Sequence, residues 1–152
     1  MKEKDTILPL AISSWDEEER EAINRVIESD NFTMGKNVRA FEEEFASYHD
    51  SKYCVMVNSG SSANHLGLSS LFFRKQGPKL TQGDEVLVTS VSWSTTYSPL
   101  YYHGLKLRFV DIDIDTLNVD VSKLTESITS KTKAIFAVNL LGNPNSYTDI
   151  QK

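Results

Sequence analysis

Four short runs of β-forming residues are separated by segments with helical spacing, and this alternation constrains the fold more than any other feature of the chain. The runs are Tyr53–Val57, Glu85–Thr89, Lys106–Val110 and Ala134–Val138. Between them, apolar residues recur at three- and four-residue intervals over Gly60–Arg74, Ser92–Tyr102 and Val121–Ile128. Strands that alternate with helices predict a parallel α/β sheet with right-handed crossovers, here of four strands. Pro99 is expected to confine the Ser92–Tyr102 helix to separate turns, because proline removes a backbone donor and crowds the preceding turn. Ahead of the first strand, Ala22, Ile23, Val26 and Ile27 form one apolar stripe, so a helix is expected over Asp16–Glu28. Ser14 is its expected N-cap, paired with Glu17 as a capping box. Val38, Phe41, Phe45 and Tyr48 mark a second amphipathic helix. Residues 1–12 read as an arm, residues 13–152 as a single partial domain, and a last helix opens at Tyr147.

Composition narrows the functional classes. A net charge of −5 with scattered Lys and Arg gives no basic stripe for nucleic acid or an anionic membrane surface. No apolar run reaches membrane-spanning length. Met1-Lys2-Glu3-Lys4-Asp5 is charged with no apolar signal core behind it, which reads as cytoplasmic. Cys54 is the single cysteine, so the chain holds no internal disulfide and no cysteine-clustered zinc site. Within an apolar strand, Cys54 reads as a buried structural thiol rather than a nucleophile.

The first stretch with chemistry in it is Asn58-Ser59-Gly60-Ser61-Ser62-Ala63, between the first strand and its helix. Gly60 lets a ligand approach the backbone closely. The unpaired N–H groups of a helix start, with the hydroxyls of Ser61 and Ser62 beside them, suit an anion such as phosphate. The alternative is a plain serine N-cap. The second is Ser90-Val91-Ser92-Trp93-Ser94-Thr95-Thr96, which follows a strand and therefore lies on the ligand-binding edge of an open α/β sheet. Trp93 there presents a flat face for stacking on an aromatic ring; alternatively it lies half buried under a loop.

Two other groupings carry less. Asp111-Ile112-Asp113-Ile114-Asp115 begins like a calcium loop, but Thr116 and Ser122 occupy the positions where Gly and Glu are required, so a solvated turn is expected. His49, His65 and His103 have no metal-ligand spacing, and no metal site is assigned. His65 lies one turn beyond the serines and is expected on the helix surface.

With these motifs placed, the chain resembles the DegT/DnrJ/EryC1/StrS family of sugar aminotransferases, which use pyridoxal 5'-phosphate (PLP). The resemblance runs from about Ile12 to Lys152. It is carried by Phe32-Thr33-Met34-Gly35 with Val38 and Phe41-Glu42, by Ser59–Asn64, by Gly83-Asp84-Glu85-Val86 leading to Ser92-Trp93-Ser94-Thr95, by Asp111-Ile112-Asp113, and by Leu140–Pro144. Val91–Tyr97 and Asn139–Asn145 are most similar to a dehydratase branch acting on GDP-4-keto-6-deoxymannose in deoxysugar and O-antigen (lipopolysaccharide) synthesis.

The resemblance implies the N-terminal portion of a fold-type-I PLP-enzyme large domain. It also implies PLP or pyridoxamine 5'-phosphate as cofactor, with Gly60, Ser61 and Ser62 at its phosphate and Trp93 on its ring. A nucleotide-linked 4-keto-6-deoxy sugar and glutamate would be substrates, and the protein a homodimer. The family's proton-transfer residue and its carboxylate for the pyridine nitrogen fall outside these residues. No catalytic residue is therefore assigned in the chain, which on its own is expected to be inactive. Amino transfer to the keto sugar, or a non-catalytic truncated α/β domain, are the alternatives.

Overall fold

A computed structural model describes residues 12–152. They fall into two compact units, the first ending at Met56 and the second running from Val57 to Lys152. Residues 1–11, most of the expected arm, lie outside the described residues.

The first unit holds two helices, α1 (Glu17–Glu28) and α2 (Lys36–Tyr48). Helix α1 begins two residues later than Ser14 would dictate. Asp16 is the N-cap: its carboxylate accepts the Glu18 N–H at 2.9 Å, and its own N–H donates to Glu19 Oε2 at 2.8 Å. Aspartate and serine cap equally well and each has a glutamate three residues on; it is the Asp16–Glu19 pair that closes the box. Phe41 and Phe45 stack on α2 with ring centroids 5.4 Å apart, and Phe45 lies 4.4 Å from the His49 ring.

Tyr53–Val57, expected as the first core strand, forms no ladder. The Met56 N–H donates instead to Glu42 Oε1 at 2.8 Å. Tyr53, Val55 and Met56 are exposed, and Cys54 is a half-buried free thiol outside any strand. An apolar, β-branched run has the propensity for a strand, but a strand exists only where a neighbour takes up its backbone groups.

The second unit is a three-layer α/β arrangement: α3 (Gly60–Phe73), β1 (Glu85–Thr89), α4 (Ser94–Tyr102), β2 (Lys106–Val110), α5 (Val121–Ser127), β3 (Thr132–Phe136) and α6 (Tyr147–Ile150). Among the described residues the sheet has three parallel strands in the order β2-β1-β3, where four were expected. Leu87 of β1 pairs with Arg108 on one side and Ile135 on the other. The central strand is buried on both faces, as a parallel sheet with crossover helices requires. Val86 and Val88 point into a core with Leu68, Leu80, Leu100 and Leu105, while Leu87 points the other way to Val110, Val119 and Leu124.

Pro99 sits inside one unbroken helix, contrary to the expectation of separate turns. Its ring is fully buried, and its carbonyl accepts the His103 N–H at 3.1 Å. A proline costs a helix the bond to the carbonyl four residues back, here Thr95. That carbonyl has another donor, described below, and the buried ring adds to the core.

Candidate functional site

The turn Asn58–Ser62 is built by its own side chains. Ser59 is the N-cap of α3 in extended geometry, and its Oγ accepts the Ser62 N–H at 3.2 Å. The Ser59 hydroxyl donates to Ser62 Oγ at 3.2 Å, and the Ser62 hydroxyl donates to Asn58 Oδ1 at 2.6 Å. The first intrahelical bond runs from the Ala63 N–H to the Ser59 carbonyl at 3.0 Å. Among the described residues, this leaves the N–H groups of Gly60 and Ser61 and the Ser61 hydroxyl without partners. A Cβ at Gly60 would meet nothing within 4 Å, so the fold itself does not require glycine there, and the space is open to an approaching group. Two free N–H groups at the positive end of a fourteen-residue helix fit a phosphate. Ser62, grouped with Gly60 and Ser61 on sequence, spends both its N–H and its hydroxyl on the turn.

Trp93 stands at the N-cap of α4, four residues past the end of β1, and is 76% exposed. The surrounding hydroxyls pin the backbone on which it stands. Ser92 Oγ and Thr96 Oγ1 share a hydrogen bond of 2.8 Å, and the Tyr97 hydroxyl donates to the Thr89 carbonyl at 2.8 Å. Tyr97 is packed edge-on against Phe109, and burial raises the pKa of its hydroxyl above the ordinary value, partly offset by its bonds to Thr89 and Ser92. Trp93 is exposed rather than half buried under a loop.

The two elements are joined. Asn64, at the start of the second turn of α3, donates from Nδ2 to the Thr95 carbonyl at 3.3 Å. Further along the same helices, Ser69 Oγ and His103 Nε2 share a bond of 3.2 Å. Starts lie by starts, so α3 and α4 run in the same sense, and the serine turn and Trp93 sit together at the carboxyl end of β1. His65 does not join the turn: its half-buried ring stacks on Tyr102, with centroids 6.0 Å apart and planes 8° from parallel.

At the carboxyl end of β3 the loop Asn139–Asn145 is held by amides. Asn139 Oδ1 accepts from the Asn145 N–H at 3.0 Å and from the Tyr147 hydroxyl at 2.8 Å. Asn145 Nδ2 donates to the Val138 carbonyl, and Asn118 Nδ2 to the Pro144 carbonyl. Leu141 takes a left-handed φ of 54° with its side chain exposed.

The aspartate run is a turn, as its failed calcium spacing implied. Asp113 Oδ1 accepts from the Asp115 and Thr116 N–H groups and the Thr116 hydroxyl, and the Thr116 bonds hold its carboxyl below the usual range. Asp111 accepts from Lys123 Nζ at 3.1 Å, which lowers its pKa and raises that of Lys123. Among the described residues no three His, Cys, Asp or Glu side chains gather as a metal site.

The sequence places Asn64 and Thr95 inside the two motifs but gives neither a role. The available signal was Pro99, since an intrahelical proline leaves one identifiable carbonyl without its helical donor.

The chain is similar to known proteins over most of its length. The chain is 60% identical over 144 residues to GDP-4-keto-6-deoxy-D-mannose 3-dehydratase of Yersinia pseudotuberculosis, covering 95% of this chain and 36% of that protein. It is 39% identical over 128 residues to dTDP-3-amino-3,6-dideoxy-alpha-D-galactopyranose transaminase of Aneurinibacillus thermoaerophilus, covering 84% of this chain and 33% of that one. The structure of the E. coli GDP-4-keto-6-deoxy-D-mannose-3-dehydratase with bound hydrated PLP superposes with a TM-score of 0.90 at 55% identity, over 94% of this chain and 36% of that one. The chain thus spans somewhat more than a third of the length of these proteins, and its three-stranded sheet is part of their PLP-dependent aminotransferase fold. Residues 13–152, which contain every element described above, match the sequence pattern of one family throughout, and the chain belongs to the DegT/DnrJ/EryC1/StrS aminotransferase family.

Proposed function

We propose that this chain is the cofactor-cradling part of a PLP-dependent 3-dehydratase acting on a GDP-linked 4-keto-6-deoxy sugar in deoxysugar synthesis. Residues 13–152 then form part of its PLP-binding large domain. The observation that carries the reading is the pair of uncommitted N–H donors at Gly60 and Ser61 beside an exposed Trp93, in a chain 60% identical to such a dehydratase.

The Gly60 and Ser61 N–H groups and the Ser61 hydroxyl would hold the cofactor phosphate, with the Ser62 hydroxyl turning from Asn58 to join them. Trp93 would lie on the ring face. When bound, the cofactor supplies an electron sink for loss of the C3 hydroxyl. The chain's own part is to fix phosphate and ring, keeping the reacting end in one orientation. The complete protein, in this reading, uses glutamate to regenerate its cofactor, is a cytoplasmic homodimer, and takes its acid–base residue from outside these residues; the chain alone is inactive.

The cradle is tested by titrating the chain with pyridoxamine phosphate in a Trp15→Phe background, where Trp93 is the only indole. Quenching is expected, and Trp93→Ala should abolish the signal. No quenching at millimolar ligand would remove the cradle. The similarity to a dTDP-sugar transaminase supports amino transfer as a second reading. A protein of the relatives' full length given the GDP-keto sugar separates the two: a product lacking the C3 hydroxyl supports dehydration, and one carrying a new C4 amine supports transfer.

A further inference from the structure

We propose that Asn64 is a positioning residue, which locks the phosphate turn to the Trp93-bearing helix through the Thr95 carbonyl, and that Pro99 is what makes this carbonyl available. The inference rests on the cofactor reading above and adds to it a residue pair that sets the spacing between the two halves of the site.

The sequence of causes is short. Residue 99 would ordinarily donate its N–H to the carbonyl of residue 95, four positions back. Proline has no N–H, so the Thr95 carbonyl is released from the helical ladder while Pro99 itself stays buried in the continuous helix α4. Buried or half-buried carbonyls without a donor are costly. The Asn64 side-chain amide, 3.3 Å away and partly buried, provides one.

The placement of the bond is what gives it a role. Asn64 lies one turn from Gly60 and Ser61, and Thr95 lies two residues from Trp93. One hydrogen bond therefore ties the element with the free phosphate donors to the element with the stacking ring. A ligand that touches only the turn is indifferent to that tie. A ligand that reaches from phosphate to ring depends on it, because both contacts must be met at one fixed separation.

The experiment compares two probes on the same chain in the Trp15→Phe background. Pyridoxamine phosphate, which spans both halves, is followed by Trp93 fluorescence. Inorganic phosphate, which touches the turn alone, is followed by shifts of the Gly60 and Ser61 amide resonances in 15N-labelled protein. Asn64→Ala is expected to weaken pyridoxamine phosphate by about fivefold, the order of one net hydrogen bond, and to leave phosphate unchanged. Asn64→Leu, which keeps the volume and loses the donor without adding charge, should match it and guards against a packing effect.

Pro99→Ala returns the competing N–H and should weaken pyridoxamine phosphate in the same direction. The double variant should be no worse than Asn64→Ala, because both changes break one bond. Equal losses for both probes, or additive losses in the double variant with far-UV circular dichroism unchanged, would overturn the proposal. If the parent chain binds no pyridoxamine phosphate, the cofactor reading falls. The tie is then judged on the Asn64 side-chain amide protons, whose slow exchange should be lost in Pro99→Ala. Exchange that is the same in both chains overturns the tie as well.

Discussion

The two units of this chain treat their apolar residues in opposite ways. From Val57 onward they converge on a central strand: Val86, Leu87 and Val88 are at most 1% exposed, with helices covering both faces of the sheet. Up to Met56, the apolar stripes of α1 and α2 remain in the open, and Ala46 is the one buried apolar side chain among the described residues of that unit. A sheet flanked by helices makes its own interior, whereas a helix of twelve or thirteen residues is marginal without something to pack on. The first unit therefore leans on local devices. These are the Asp16 capping box, the Arg20–Glu17 pair on one helix and the Phe41–Phe45 stack on the other.

This contrast can be broken by substitution. Leu87→Ala should cost about 3 kcal/mol, within the range for emptying a buried leucine site, and should be visible as a large drop in the urea midpoint. Next in size, Asp16→Ala should cost α1 about 1 kcal/mol, seen as faster amide exchange in the first helical turn. Phe41→Ala, on a half-exposed ring, should change stability by less than about 0.5 kcal/mol. A loss there as large as that at Leu87 would mean that the first unit has a core after all.

The smallest effect expected is electrostatic and falls on the second unit. Glu85 is held below its ordinary pKa first by the Thr132 hydroxyl, and Asp113 by the Thr116 N–H. A depressed carboxyl stabilises the fold above its unfolded pKa. That contribution fades as pH falls through the lower, folded value. A modest decline in urea midpoint on acidification below the normal carboxylate range should follow, reduced in Asp113→Asn.

How much could be read from the sequence depended on whether the information was local. The strands Glu85–Thr89 and Lys106–Val110 were legible with their bounds, and the third two residues off, at Thr132–Phe136 instead of Ala134–Val138, because each carries β-forming residues, is bounded by turn residues, and finds its partners within the described residues. Tyr53–Val57 is as rich in β-formers but joins no ladder among the described residues, and pairing is not written in the run itself. Gly60, Ser61, Ser62 and Trp93 could be named as candidates because a helix start after an apolar run and an indole after a strand have recognisable spelling. The division of labour within the turn could not be read: that Ser62 is spent on Asn58 while Ser61 is free is a matter of side-chain rotamers. Asn64 stayed hidden because its partner, thirty-one residues away, is a main-chain oxygen, which has no letter of its own.

The helical proline has a consequence for inheritance. If residue 99 and residue 64 serve one bond, neither is free to drift alone. Regaining an ordinary residue at 99 makes the amide at 64 redundant, and losing that amide strands an oxygen that the helix had given up. Descendants of a common ancestor should then retain the two together or exchange them together. A pedigree in which proline persists while position 64 wanders among residues without a donor would show that some other group has taken over the oxygen at Thr95.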